Sequence, residues 1–234
     1  MYKNRLIVFT LLIAGIFFFV TPVFSSNLSN PKNIYDILSE MEKANTAFKT
    51  LKAGIVYTRT ITLLESTEIS EGELRYKKPK RVYLKFYPPR NEVNVVDGKY
   101  VWVYHPSEKQ VEKYEMTGGK QSSQGVSFFE FGYGESVEAA KKDYTITLLN
   151  TKEDGKKRFY ILDLQPKDPK AQYSDIRLWV EEGVWLPGRI ELYESQGEVV
   201  NVIELKNIKL NKGMSDKLFV FDVPRGVEVI ELFK

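Results

Sequence analysis

The sequence predicts a mainly β protein with some helix: one amphipathic helix followed by an antiparallel meander of about ten strands. Two observations lead to this fold class. From Ala53 onward, apolar residues recur at every second position over most of the chain, and turn pairs such as Asp97-Gly98 and Asp154-Gly155 separate these runs. The short connections exclude a parallel βαβ arrangement, which needs long crossovers between strands.

Residues 1–25 have the pattern of a secretory signal peptide. Lys3 and Arg5 form a basic start, an apolar run extends from Leu6 to Val20, and Val23-Phe24-Ser25 resembles a cleavage site. We therefore expect cleavage after Ser25 and a single exported domain spanning residues 26–234. The alternative is an uncleaved anchor helix, although the apolar run of about 15 residues is short for a membrane span.

The first element of the mature chain is predicted to be a helix of about 18–20 residues. Asn30-Pro31 has the form of a helix cap followed by proline at the first helical position. The apolar residues that follow share one helical face: Ile34, Ile37, Leu38, Met41, Ala44, Phe48 and Leu51. Such a stripe predicts that the helix lies on a sheet.

The alternating runs that follow predict the strands in chain order. They cover residues 53–63, 81–86, 93–95, 100–104, 144–149, 158–164, 175–181, 185–194 and 198–206. Residues 116–142 interrupt the pattern with several glycines and an aromatic cluster, and residues 135–143 suit a short helix. This segment is predicted either as a flap over an apolar site or as a surface loop whose aromatics pack on the sheet.

Many of the predicted strands are apolar on both faces. The chain has 14 Tyr, 14 Phe and 3 Trp residues, and most of them lie beyond residue 25. A sheet with one solvated face alternates apolar and polar residues instead. The sheet therefore either closes around a packed interior or curves around an apolar cavity, and the residue pattern leaves both possibilities open.

Composition excludes most catalytic and metal chemistry. The chain has no cysteine and one histidine, so disulfides, thiol catalysis, zinc ribbons and HExxH sites are all excluded. His105 stands at a strand end before Pro106, without a serine or acid at a recognisable spacing, and we expect it on the surface. No nucleophile elbow, P-loop or dinucleotide fingerprint occurs. We expect a non-enzymatic protein without a metal or cofactor.

The net charge of +3 gives no sign of a nucleic-acid partner. Lys3 and Arg5 account for two of the 34 basic residues, so the mature chain has 32 basic against 31 acidic residues. A nearly neutral chain with interspersed charges does not form the basic surface that nucleic acids require.

Three segments, in the same order and spacing, resemble the LolA family of periplasmic lipoprotein carriers. Residues 72–79 (GELRYKKP) are similar to the family's strand that ends in a basic residue and proline. Residues 95–106 (VVDGKYVWVYHP) resemble its DGK hairpin, and residues 219–227 (FVFDVPRGV) resemble its C-terminal motif. The likeness spans the whole mature chain.

The resemblance implies an unclosed antiparallel β half-barrel of about 10–11 strands with a helical lid over a hydrophobic cavity. It implies a periplasmic chaperone that carries acylated lipoproteins from an inner-membrane lipoprotein-releasing ABC transporter to the outer membrane, and to an outer-membrane receptor where one exists. The alternatives on this fold are a carrier of another lipid and a lipid-sensing regulatory domain. We expect a monomer.

The resemblance also assigns roles to residues. Lys78 occupies the position of the family's basic residue before proline, an arginine that holds the lid closed, and it is the expected latch. We expect the lid and the cavity to be lined by the following side chains: Leu38, Met41 and Phe48 of the helix, Phe128, Phe129 and Phe131 of the loop, and Tyr83, Phe86, Trp102, Tyr104 and Trp179 of the sheet.

Overall fold

A computed structural model describes residues 32–116, 132–134, 136–194 and 198–232. These residues form two α-helices and twelve strands, with bounds as follows: α1 Ile34–Ala47, β1 Thr50–Ile61, β2 Ser66–Lys77, β3 Arg81–Phe86, β4 Glu92–Val96, β5 Tyr100–His105, β6 Gln110–Glu115, α2 Val137–Asp143, β7 Tyr144–Asp154, β8 Lys157–Pro166, β9 Tyr173–Glu181, β10 Pro187–Glu194, β11 Val199–Leu210 and β12 Glu228–Leu232.

The twelve strands form one sheet in the order β12-β6-β5-β4-β3-β2-β1-β11-β10-β9-β8-β7. Strands β1–β6 and β7–β11 are two antiparallel meanders, joined where β1 pairs with β11. Within the described residues the edge strands β7 and β12 do not pair, so the predicted unclosed, mainly β architecture is confirmed. The sheet has one strand more than the upper estimate. The predicted alternating runs did not include β2, β6 or β12, and β12 runs parallel to β6.

Helix α1 is shorter than predicted, with 14 residues. It begins after Asn33, whose side chain accepts a hydrogen bond from the backbone N–H of Asp36. It ends at Ala47, because Phe48 already has an extended backbone and β1 starts two residues later. Phe48 and Leu51, which were expected on the helix, therefore belong to the connection and to β1.

The core lies on one face of the sheet, and α1 covers part of that face, which we call the inner face. Strand alternation places one set of side chains there, and Leu74, Leu84, Ile176 and Ile203 are completely buried. Ile37, Leu38 and Met41 of α1 belong to the same buried cluster.

The opposite, outer face is crossed by residues 211–232, which we call the C-terminal strap. Asp216 lies 2.5 Å from Lys77 Nζ and 2.7 Å from Arg81 Nη1. Phe221 then stacks on Trp102 with ring centroids 5.6 Å apart, and β12 completes the sheet at β6. The strap explains why β5 is apolar on both faces.

Gly72 provides a test of the close approach of β2 and β3. A Cβ atom at this position would lie 2.1 Å from the backbone carbonyl oxygen of Lys85. We expect Gly72→Ala to lower the free energy of unfolding by about 2–3 kcal/mol, because the backbone must move to relieve the overlap. The measurement is denaturant unfolding monitored by circular dichroism.

Gly188→Ala is the matched control, since Gly188 also lies in a strand and has no neighbouring atom within 4 Å of an added Cβ. We expect a change within about 0.5 kcal/mol for this variant. Equal losses in the two variants would show that the contact between β2 and β3 is not the cause.

Candidate functional site

The inner face has an apolar end, and α1 covers it. Leu38, Met41 and Phe48 are 7%, 5% and 1% exposed, and they belong to the same buried cluster as residues of β1 and β2. Phe48 also contacts Tyr76 of β2, with ring centroids 6.0 Å apart. The three helix-side residues that the sequence analysis assigned to the lid are therefore together, buried against the sheet.

Tyr133 completes this apolar end. It was not among the residues predicted from the sequence. Its ring meets Phe48 edge-on at 6.1 Å, and its hydroxyl donates to the carbonyl oxygen of Pro187. Burial raises the pKa of Tyr133 far above its ordinary value, so the hydroxyl stays a neutral donor. The preceding Gly132 has φ +84°, and a Cβ there would lie 2.6 Å from Pro187. Glycine therefore permits the close contact that positions Tyr133.

Lys78 ties the sheet to the end of α1. Its Nζ donates to the backbone carbonyl of Asn45 and to Asn45 Oδ1, the latter at 2.8 Å. It also lies 4.2 Å from the centroid of the Phe48 ring. A cation here satisfies carbonyl groups that the helix leaves open at its C-terminus. Burial lowers the pKa of Lys78, and the nearby carboxylate of Glu42 partly opposes this shift.

A second polar contact joins α1 to α2. Glu42 Oε2 accepts a hydrogen bond of 2.7 Å from the backbone N–H of Val137, the first residue of α2. The Ser136 side chain caps the same helix by accepting from the N–H of Ala139. Helix α1 is thus held over the apolar end by Lys78 on one side and by α2 on the other.

Along several strands, the inner face changes from apolar to polar with distance from α1. On β4 the inner side chains are Val96, then Asn94, then Glu92, and on β5 Val103 is followed by His105. The same change occurs along four other strands: Ile55, Tyr57 and Arg59 on β1; Leu74, Ser70 and Glu68 on β2; Ile203 and Asn201 on β11; and Leu192 and Glu194 on β10.

The polar end encloses a cavity of about 870 Å³. Its apolar lining includes Val103, Tyr173, Leu192 and Ile203, which are also members of the core cluster. Among the described residues, its charged and ionisable lining comprises Arg59, Glu68, Arg90, Glu92, His105, Glu112 and Glu194. The cavity is therefore amphipathic, with an apolar side continuous with the core and a polar wall rich in carboxylates.

Hydrogen bonds order the polar wall. Arg90 Nη2 lies 3.0 Å from Glu92 Oε1, and the Arg90 guanidinium stacks 4.1 Å from the Phe86 ring centroid. Tyr114 donates its hydroxyl to Glu112. Burial is the main cause that raises the pKa of Tyr114 to about 12, and the Glu112 carboxylate is the second cause. The phenol therefore remains protonated at neutral pH.

Comparison with known proteins identifies the family. The family model described as "Outer membrane lipoprotein carrier protein LolA" matches residues 46–222. The chain belongs to the LolA family. An outer-membrane lipoprotein carrier protein of Helicobacter hepaticus is 31% identical over 162 residues, covering 69% of this chain and 73% of the relative. One of Legionella pneumophila (strain Lens) is 26% identical over 162 residues, covering 69% and 74%.

A solved structure shows the same fold as this LolA-family chain. An uncharacterized conserved protein from Thermus thermophilus aligns with a TM-score of 0.54 over 85% of this chain and 98% of that chain. The sequence identity is 13%, so the likeness concerns the fold alone.

The sheet residues predicted to line the cavity of this LolA-family protein divide between the two faces. Phe86 is on the inner face and 1% exposed. The assignment was wrong for Tyr83, Trp102, Tyr104 and Trp179, which alternate with core residues and lie on the outer face. Trp102 and Tyr104 are covered there by Phe221 of the strap, while Lys152 and Arg189 lie over Trp179.

Two further site predictions have different outcomes. Phe128, Phe129 and Phe131 lie outside the described residues. His105, expected on the surface, lines the cavity instead: its Nδ1 is 3.9 Å from Glu92 Oε2 and its Nε2 is 3.8 Å from Glu112 Oε1. His105 does stand at the end of a strand, as predicted. The alternation of side chains along β5 places its ring on the inner face.

In the part of the chain that the structure describes, no helix combines the length and apolar character needed to cross a membrane. The same residues contain no group of three or more acidic or histidine side chains arranged to hold a metal ion.

The tie between Lys78 and α1 leads to a stability prediction for this LolA-family protein. We expect Lys78→Met to accelerate amide hydrogen exchange in α1 and to reduce its local stability by about 1 kcal/mol, because the Asn45 carbonyl loses its charged donor. Lys78→Arg should keep exchange close to the wild-type rate, since a guanidinium also donates to both oxygens. Hydrogen exchange with mass spectrometry measures both.

Lys80→Met is the control, because Lys80 is exposed in the same turn and its side chain makes no hydrogen bond or ion pair with the described residues of α1. Unchanged α1 exchange in Lys78→Met would contradict the latch assignment. A similar acceleration in Lys80→Met would show that the turn, rather than the bond to Asn45, controls the helix.

Proposed function

We propose that this protein is an exported periplasmic carrier of outer-membrane lipoproteins that shelters their acyl chains against the inner face of its sheet. The match to the lipoprotein-carrier family over residues 46–222 is the observation on which the proposal rests. It acts as a binding protein, not as an enzyme, and residues 1–25 direct its export. Its cargo passes from an inner-membrane lipoprotein-releasing ABC transporter to the outer membrane, with a receptor there where the cell has one.

The lid geometry supports a carrier that opens and closes. Helix α1 places Leu38 and Met41, and the connection after it places Phe48, on the apolar end of the inner face, which is the surface that an acyl chain would use. Acyl binding therefore requires α1 to move, and the contacts between Lys78 and Asn45 resist this movement. A few polar contacts at a helix end can break and re-form without loss of the sheet.

A second candidate is a carrier of a different lipid, or a lipid-sensing domain on the same fold. The observation that favours it is the carboxylate-rich wall of the cavity. Acyl chains alone do not require such a wall, whereas a lipid with a polar headgroup can use it.

A reversible cross-link tests whether the lid must open. The chain has no cysteine, so Asn45→Cys with Lys78→Cys introduces the only two thiols. A reducible bis-maleimide between them would fasten α1 to the turn after β2, because Lys78 Nζ already reaches Asn45. We expect the cross-linked protein to bind a fluorescent fatty acid and a purified acylated lipoprotein at least about tenfold more weakly, and reduction to restore binding.

The matched control is Lys113→Cys with Glu231→Cys, whose wild-type side chains form a 2.8 Å ion pair between β6 and β12 on the outer face. Cross-linking this pair should leave binding unchanged. Equal affinity of the locked and reduced lid variants would contradict a lid that opens. Fatty-acid binding without lipoprotein binding would favour the second candidate.

A further inference from the structure

The polar wall of the cavity contains a hydrogen-bond acceptor with no donor. Asn94 is 1% exposed and lies on the inner face of β4 between Leu84 of β3 and Val103 of β5. Its Nδ2 donates to Glu92 Oε1 at 2.7 Å, whereas its Oδ1 has no hydrogen-bond partner among the described residues. An unpaired buried amide oxygen costs about 1–3 kcal/mol. Leucine or valine would avoid that cost at this position.

Carboxylates line the same cavity as this acceptor. Four glutamates and two arginines line the cavity within the described part of the chain, and one of these arginines, Arg90, is paired with Glu92. The His105 ring lies between Glu92 and Glu112 at 3.9 Å and 3.8 Å, which are too long for hydrogen bonds. With neutral histidine, the wall has an excess of two negative charges. The excess favours a cation with N–H donors.

Arg59 provides a positive group on the same cavity. It lies on β1, lines the cavity, and makes no ion pair with any described residue. A guanidinium in this situation suits a phosphate, to which it can donate two hydrogen bonds. The wall therefore combines acceptors for a cation with a donor for an anion, which is the pattern that a zwitterion requires.

We propose that the polar end of the cavity recognises the headgroup of an aminophospholipid, with its primary ammonium near Asn94 and Glu112 and its phosphate near Arg59. The acyl chains continue along Val103, Leu192 and Ile203 toward the apolar end beneath α1. This inference rests on the second candidate of the proposed function, a carrier of a lipid with a polar headgroup, because it requires that the inner face takes acyl chains that end in such a headgroup. It adds the class of headgroup that the carrier selects.

The test compares two lipids that differ only in the donors of the headgroup. Full-length mature protein is incubated with vesicles of dipalmitoyl phosphatidylethanolamine or dipalmitoyl phosphatidylcholine, and bound lipid is counted by native mass spectrometry. The primary ammonium has three N–H donors and the trimethylated ammonium has none, at the same charge. We expect at least about tenfold more phosphatidylethanolamine bound.

Two variants connect the preference to the wall. Asn94→Leu and Glu112→Gln should each reduce the preference to about twofold or less, with folding monitored by circular dichroism. Asn94→Leu is suited to this test because leucine fits between Leu84 and Val103. Glu115→Gln is the matched control: Glu115 is exposed on the outer face of the same strand, and the preference should be unchanged.

The outcomes separate the two proposals. Equal binding of the two lipids, or preferential binding of phosphatidylglycerol, would overturn headgroup recognition and leave the carrier proposal standing. Binding of a fluorescent fatty acid without either phospholipid would do the same. Failure to bind even the fatty acid would overturn the proposed function as well. A preference that persists in Asn94→Leu and in Glu112→Gln would overturn the assignment of these residues.

Discussion

The pairing of β1 with β11 is the constraint on which the rest of the structure depends. It runs from Leu51–Leu210 to Ile61–Val199 and joins the two meanders into one sheet. Because side chains alternate between the faces, this register places Ile55 and Ile203 on the inner face together. A slip of one residue on either strand would turn its buried side chains outward. The position of α1, which leads directly into β1, follows from the same register.

The sequence predicted the periodic features of the fold. It did not predict the features that depend on which face of the sheet is covered by α1 or by the C-terminal strap. Alternation predicted most strands, and helical spacing predicted α1 and the short α2. The phase of Trp102 could not be inferred from periodicity, because Phe221 of the strap makes the outer face apolar too. The resemblance predicted a latch at Lys78; this residue contacts α1, and its role as a latch stays a prediction. No periodic pattern identified Tyr133, since it lies between Gly132 and Gly134 at the end of a glycine-rich segment.

The inner face has an apolar part and a polar part because α1 is too small to cover it. A helix of 14 residues is about 21 Å long, whereas the 12-residue β1 extends about 40 Å. One helix therefore leaves a large part of the face to be solvated or filled. The chain places aliphatic residues where α1 packs and glutamates, Asn94 and His105 where it does not, which avoids a large exposed apolar surface in the empty protein.

In the proposed carrier, the lid also makes release of an acyl chain possible. Burial of a 16-carbon chain contributes about 13 kcal/mol at ~0.8 kcal/mol per methylene, and a carrier that gained all of this would release its cargo too slowly. Displacing α1 exposes Leu38, Met41 and Phe48. The loss of burial free energy is about 1.5–3 kcal/mol for each side chain. Breaking the contacts of Lys78 with Asn45 subtracts a further ~1 kcal/mol from the free energy gained by acyl burial. In the proposed carrier, the buried lid thus offsets roughly two fifths to three quarters of the acyl burial energy, and a stronger tie to α1 lowers the affinity for cargo.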